Sequence, residues 1–216
     1  MVFYRWRKKL NPKLDLLLVQ LPGRDARSNE RFATDMTTAG EQLMPHLIKQ
    51  LKGKPHIIVG HSMGGLFARQ SCQSLAALGL TTKHLITVAS FSPDHVVSAI
   101  DYLHQQTDQQ LEQTFTDFAN IPASPLKQKL ITTLRADLRF LSTYKNLPDN
   151  LGCDLTIFSG LNDTYVTTAL TKRWRNQKGQ SQLSEFDING THTSVINQPE
   201  VVQYVNHKAI ELGLID

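Results

Sequence analysis

A serine set between glycines at residues 60–64 raises the chemical question this chain poses. Gly60-His61-Ser62-Met63-Gly64 fits the pattern G-x-S-x-G, in which a sharp strand-to-helix turn lifts a hydroxyl clear of the backbone. A serine hydroxyl is a poor nucleophile until a neighbouring base takes its proton, and the base needs an acid to fix its tautomer. The pattern therefore asks for a histidine and a carboxylate elsewhere in the chain. Asp163 in "FSGLNDTYV" and His192 in "INGTHTSV" meet that demand. Such a set performs acyl transfer with the help of donors aimed at the developing oxyanion, and it uses no metal or organic cofactor. One donor is expected from the backbone N–H of Met63, the residue after the serine.

A five-residue pattern recurs by chance, so the elements that would position it decide its meaning. "HIIV" (56–59) is a β-branched run behind the Gly53-Lys54-Pro55 turn signal and predicts a buried strand. Leu66, Phe67, Cys72, Leu75, Ala76 and Leu78 then recur at helical spacing, and Gly79 supplies the stop. Strand, turn and helix thus stand where the motif needs them. Upstream, "LDLLLVQL" (14–21) is a near-continuous apolar run that ends at Pro22-Gly23 and reads as a parallel strand covered on both faces. Between Asp35 and Leu51, Met36, Leu43, Leu47, Ile48 and Leu51 predict a helix that Pro45 should kink or shorten. Strands at 84–90, 154–160 and 182–188, with helices near 168–176 and 199–212, complete an alternation. It predicts an α/β fold, a mostly parallel sheet with helices on both faces, in one domain over 1–216. The alternation breaks from Pro93 to about Asn150, where the spacing of Val96, Val97, Ile100 and Leu103 predicts short amphipathic helices. This stretch reads as an inserted helical lid.

In α/β-hydrolases the chain order is serine, then acid, then histidine, the last two on loops after later strands. Asp163 lies just beyond the 154–160 strand and His192 just beyond the 182–188 strand, so both should emerge at the sheet edge that carries Ser62. The competitors fit less well. His207 falls within the terminal helix, and His56, His84 and His95 precede the acid. His46 and His104 sit in predicted helices as surface residues. His61 adjoins the nucleophile, but its side chain should point away from Ser62, in a packing or elbow-bracing role. Asp154 opens its strand at the wrong end, and Asp187 lies inside one.

Bulk properties narrow the function classes. With 216 residues, 40% of them hydrophobic, the chain can bury one sizeable core. No apolar run is long enough to cross a bilayer, and "MVFYRWRKKLNPK" carries charge where a signal peptide needs an apolar stretch, so a cytoplasmic location is expected. Cys72 and Cys153 have no metal-ligand spacing and read as reduced packing residues. The formal charge is +4, and the basic clusters "RWRKK" (5–9) and "KRWR" (172–175) read as amphipathic faces around a half-buried Trp, not as a nucleic-acid footprint. Neither a nucleic acid nor a membrane is expected as a partner, and a monomer is expected.

"VQLPGRDAR" (19–27) resembles the strand-and-turn signature of type II thioesterases, the stand-alone editing hydrolases of nonribosomal peptide and polyketide assembly lines. "TLRADLRFLSTY" (133–144) is similar to the Arg-Ala-Asp helix of their lid, and "FYRWRKKL" (3–10) resembles their first helix. The resemblance implies an α/β-hydrolase fold with nucleophile Ser62, acid Asp163 and base His192. It also implies a thioester substrate on the phosphopantetheine arm of an acyl or peptidyl carrier protein, in antibiotic or other secondary-metabolite biosynthesis. Members of this family begin with a strand and a glycine loop that supplies the second oxyanion N–H. This sequence starts after that point, so the first strand is expected to be missing. Two other readings stay open: a general carboxylesterase on small esters, and a carrier-protein binding module with little catalysis.

Overall fold

The computed structural model describes residues 2–115, 121–145, 151–177, 179 and 181–216. Four strands form a sheet in which spatial order follows chain order: β1 (Ile57–His61), β2 (His84–Val88), β3 (Asp154–Gly160) and β4 (Leu183–Ile188). Every pairing is parallel. Parallel neighbours need crossovers, which are supplied by α2 (Met63–Ala77) after β1, by α3 (Val96–His104), α4 (Asp108–Thr114) and α5 (Pro125–Ser142) after β2, and by α6 (Thr168–Thr171) after β3. Before the sheet comes α1 (Met36–Leu51), and α7 (Pro199–Glu211) closes the chain.

Alternation along the strands divides the core between the two faces. Leu85, Leu155 and Ile157 pack with α1, α2 and the inserted helices, whereas Ile86, Val88 and Phe158 pack with Trp6, Val195 and the α7 residues Val201, Val202 and Val205. Helices therefore cover both faces, as the alternation of the sequence predicts. Both tryptophans are buried more deeply than their basic surroundings suggest, at 1% and 0% exposure. Each indole N–H has found a carbonyl, Trp6 on Ile196 at 3.1 Å and Trp174 on Ser90 at 3.0 Å, so the rings anchor these segments to the core. Cys72 and Cys153 are free thiols in the interior.

Three expectations need correction. The run 14–21 forms no ladder; it is extended, with Leu14, Leu16 and Leu18 half-buried and Leu17 and Val19 exposed. Its apolar content predicts a covered strand, but pairing needs a neighbour at hydrogen-bonding distance, which composition cannot specify. Pro45 does not shorten α1, which runs sixteen residues with Pro45 inside it. The proline and Glu41, whose carbonyl it leaves without an intrahelical N–H, are both exposed, so water can satisfy that carbonyl. The helix expected near 168–176 tightens after Thr171 into a 3₁₀ turn over Lys172–Gln177, and "FYRWRKKL" likewise begins as a 3₁₀ helix, Val2–Lys8.

The insertion between β2 and β3 comprises α3, α4 and α5; residues 116–120 and 146–150 of the expected 93–150 lid lie outside the described residues. Thr107 and Gln110 form a capping box that starts α4, and Ser124 caps α5 ahead of Pro125. No helix is long and apolar enough to cross a membrane among the described residues.

Candidate active site

The carboxyl ends of β1, β3 and β4 each deliver one residue to the same edge of the sheet. Ser62 follows directly on β1 with φ 54° and ψ −127°, outside the regions that side chains ordinarily occupy. A residue held so costs on the order of 1–3 kcal/mol and needs its surroundings to impose the geometry. They do so through the backbone: Ser62 N–H donates to the Val88 carbonyl at 2.9 Å, and Gly65 N–H donates to the Ser62 carbonyl at 3.0 Å. A Cβ on Gly60 would lie 2.5 Å from Gly65 Cα, and one on Gly65 would lie 2.6 Å from Ser90 Cβ. By contrast a Cβ on Gly64, the last glycine of G-x-S-x-G, would meet nothing within 4 Å. The tight crossing of turn and helix therefore depends on Gly60 and Gly65.

Asp163 lies three residues beyond β3. Its Oδ1 accepts the backbone N–H groups of Tyr165 at 2.9 Å and Val166 at 2.8 Å, which orients the carboxylate. Its Oδ2 faces His192 Nδ1 at 2.8 Å. An acceptor-only carboxylate there requires the proton on Nδ1, so Nε2 is left as the acceptor for Ser62 Oγ–H at 2.9 Å. His192 is held by a loop after β4 that is tied to the β3 loop, where Asn162 N–H donates to the Gly190 carbonyl at 3.1 Å. Gly190 has φ 151°, and a Cβ would lie 2.8 Å from Val195 Cα. Thr191 N–H donates to Ser194 Oγ at 2.8 Å and shapes the next turn. Ser62, Asp163 and His192, the three residues singled out by order and position, thus form one continuous hydrogen-bonded chain. Met63, whose N–H is the expected oxyanion donor, opens α2 at the positive end of the helix dipole.

The site contains residues that spacing does not reveal. Tyr165 stands edge-on to the His192 ring with centroids 5.2 Å apart, and Phe91 and Phe115 pack against Tyr165 at 5.1 and 4.0 Å. Burial, then the nearby Asp163 carboxylate, pushes the Tyr165 phenol up, so it stays protonated and acts as an apolar wall. Phe115 comes from the end of α4 and brings the insertion to within 6.2 Å of the His192 ring. The only signal for Tyr165 is its place in "NDTYV" beside the acid; for Phe91 and Phe115 there is none. Of the competitors, His207, His46 and His104 are exposed. Asp187 pairs with Lys172 at 2.5 Å, and His84 is buried, with Nε2 2.7 Å from Thr156 Oγ1. Among the described residues no group of three His, Cys, Asp or Glu is placed to hold a metal ion.

The model of the thioesterase-domain family matches residues 1–209. The chain belongs to this family. Among relatives of this thioesterase-family chain is the protein named linear gramicidin dehydrogenase LgrE of Brevibacillus parabrevis, 28% identical over 99% of this chain and 84% of its own length. The gramicidin S biosynthesis protein GrsT of Aneurinibacillus migulanus is 28% identical over 81% of this chain and 70% of its own. Among solved structures, the RedJ thioesterase from the prodiginine biosynthetic pathway of Streptomyces coelicolor superposes with a TM-score of 0.80, is 25% identical, and aligns over 95% of this chain and 84% of its own. The thioesterase family implies a hydrolase, and the elements at the strand ends are those of an α/β-hydrolase fold.

Proposed function

We propose that this chain is a serine thioesterase that releases acyl groups from the phosphopantetheine arm of carrier proteins, clearing misprimed or stalled intermediates of nonribosomal peptide or polyketide synthesis. The observation that carries this reading is the hydrogen-bonded chain from Ser62 through His192 to Asp163, in a member of the thioesterase family. His192 Nε2 takes the Ser62 proton as Oγ adds to the thioester carbonyl, and the oxyanion turns to the Met63 N–H. Collapse expels the thiol, which leaves with the proton held on His192. Water then gives a proton to Nε2 and attacks the acyl-serine, and collapse passes that proton from Nε2 to Ser62 Oγ as the acid departs, restoring Ser62. Asp163 holds the Nδ1 tautomer and stabilises the imidazolium throughout without taking its proton.

The carrier-bound substrate is supported by relatives named for gramicidin biosynthesis and by structural neighbours titled as thioesterases of biosynthetic pathways. The word dehydrogenase in one relative's name does not guide this reading, because hydride transfer has no use for an elbow serine bonded to a histidine–aspartate pair. In a single domain over 1–216, the segment 93–150 acts as the lid, with α4 presenting Phe115 toward the base and α5 carrying the Arg-Ala-Asp stretch. The test is steady-state hydrolysis of acyl groups loaded on carrier proteins, beside a panel of simple soluble esters. A kcat/KM that favours the carrier thioesters supports the proposal. Preference for the free esters would make this chain a general carboxylesterase.

A further inference from the structure

We infer that His61 is a positioning residue for the base: its imidazole N–H holds the backbone carbonyl of His192 and so sets the height at which His192 meets Ser62. The inference rests on the serine-hydrolase reading of the site. His61 is the last residue of β1, and its Nε2 lies 2.7 Å from the His192 carbonyl oxygen, a partner that can only accept. Nε2 therefore carries the proton. The two rings sit 5.3 Å apart with planes inclined at 41°. The other bonds described for the main chain of this loop act on its neighbours, at Gly190, Thr191 and Val195. The bond from His61 acts on His192 itself, and it ties the base to the same strand that presents the nucleophile. A separation between Ser62 Oγ and His192 Nε2 that would otherwise depend on two independent loops is thereby fixed within one hydrogen-bonded ring of chain.

The choice of histidine has an electrostatic reason as well. Burial pushes the His61 imidazole down to about 4, and repulsion from His192 adds to the effect. While His192 gains and loses its proton in turnover, His61 stays a neutral donor and places no second positive charge beside the imidazolium. A lysine at this position would supply a donor but also that charge.

The test compares His61→Leu, which removes the donor, with His61→Gln, whose amide N–H can restore it. Each is assayed on an acyl-carrier thioester beside wild type and Ser62→Ala. We expect His61→Leu to lower kcat by about 10- to 100-fold with KM little changed, the penalty of a misplaced reacting group, and His61→Gln to recover most of it. The downfield proton resonance of His192 Nδ1–H should broaden in His61→Leu and persist in His61→Gln. Wild-type kcat and an unchanged resonance in His61→Leu would overturn the inference. Equal loss in both variants would also overturn it, since ring shape and not the donor would then matter. If His61→Leu does not fold, His61→Met replaces it, because the thioether chain is close to Gln in length, is uncharged and has no hydrogen to donate. An active Gln variant beside an impaired Met variant then supports the inference, and equal activities overturn it. Full hydrolysis by Ser62→Ala would instead sink the proposed function.

Discussion

The strand-end site and the helical insertion are held by different kinds of bond. At the site, backbone groups set the geometry: Val88 anchors Ser62, Tyr165 and Val166 orient Asp163, and Asn162 fixes Gly190. In the insertion, α3 and α5 share buried Ile100, Leu103, Ile131 and Leu138, but the outer ties are side-chain ion pairs. Arg135 reaches Asp108 at 2.7 Å, Lys127 reaches Glu112 at 2.6 Å, and Arg24 of the "PGRDAR" turn reaches Asp137 on α5. The pair at Asp108, whose carboxylate is exposed, contributes little and is screened by salt, and the other two are only partly buried. The contrast shows where this fold invests rigidity. The three groups proposed to react are fixed by main chain, while the inserted helices, proposed as the lid, rest on contacts that can part and re-form.

If the site is the rigid half, damage to its members has the largest effects. His192→Ala should lower kcat by about 10⁴ to 10⁶, and Asp163→Asn by about 10⁴, since the acid orients the base without accepting its proton. His207→Ala, in an exposed residue of α7, is the control and should be neutral. Pre-steady-state and steady-state rates on an acyl-carrier thioester check both, and activity surviving His192→Ala but lost in His207→Ala would reverse the assignment.

Backbone packing at the elbow supplies the next effect. Gly60→Ala would drive a methyl into the backbone of Gly65, so it should cost more than about 2 kcal/mol or prevent folding. Gly64→Ala opens onto free space and should stay within about 1 kcal/mol of wild type. Denaturant unfolding measures the difference. Equal costs would mean that the elbow is looser than the close approach of its glycines indicates.

How much of this was legible beforehand follows from the range of the forces involved. The order of Ser62, Asp163 and His192 and their places beyond three strands could be read because strand ends are marked locally, by β-branched runs that stop at glycine and asparagine. That helices cover both faces of the sheet could be read from the alternation of strand and helix. Features set by a distant partner could not. Leu14–Leu21 looks like a strand but pairs with no strand among the described residues; Gly65, outside the five-residue pattern, matters because Ser90 lies beneath it; and His61 finds a carbonyl 131 positions away. The Arg24–Asp137 pair joins two stretches that the sequence marks separately, with nothing local to connect them.

The sheet has its own weak point at the end away from the site. His84, at the start of β2, is pushed down to about 4 mainly by burial, with Lys208 adding to the shift. The unfolded chain, titrating near 6.5, binds that proton more readily than the fold does, so stability is complete above about pH 6.5 and falls as pH drops toward about 4. The loss attributable to this residue is on the order of 3 kcal/mol, reached only below about pH 4. Chemical denaturation of wild type and His84→Leu across this window should give a shallower acid decline for the variant; parallel curves would remove His84 from the account.

The smallest effect is expected in the insertion. Arg24→Ala should cost about 1–2 kcal/mol, as it leaves the partly buried Asp137 carboxylate without its cation. Burial already pushes that carboxyl up against the pull of Arg24, so the variant releases part of the strain by protonation. Hydrogen exchange should quicken over 125–142 and stay unchanged in β1 to β4. Uniform quickening would show the insertion and the sheet to be one cooperative unit and would abolish the comparison.

The central claim is that Ser62 carries the acyl group between thioester and water. Rapid-quench mass spectrometry after mixing with an acyl-pantetheine thioester tests it most directly. A transient adduct of the acyl mass on the peptide containing Ser62, present in wild type and absent in Ser62→Ala, is the predicted result. An adduct on another residue, or hydrolysis at the wild-type rate by Ser62→Ala, would contradict it.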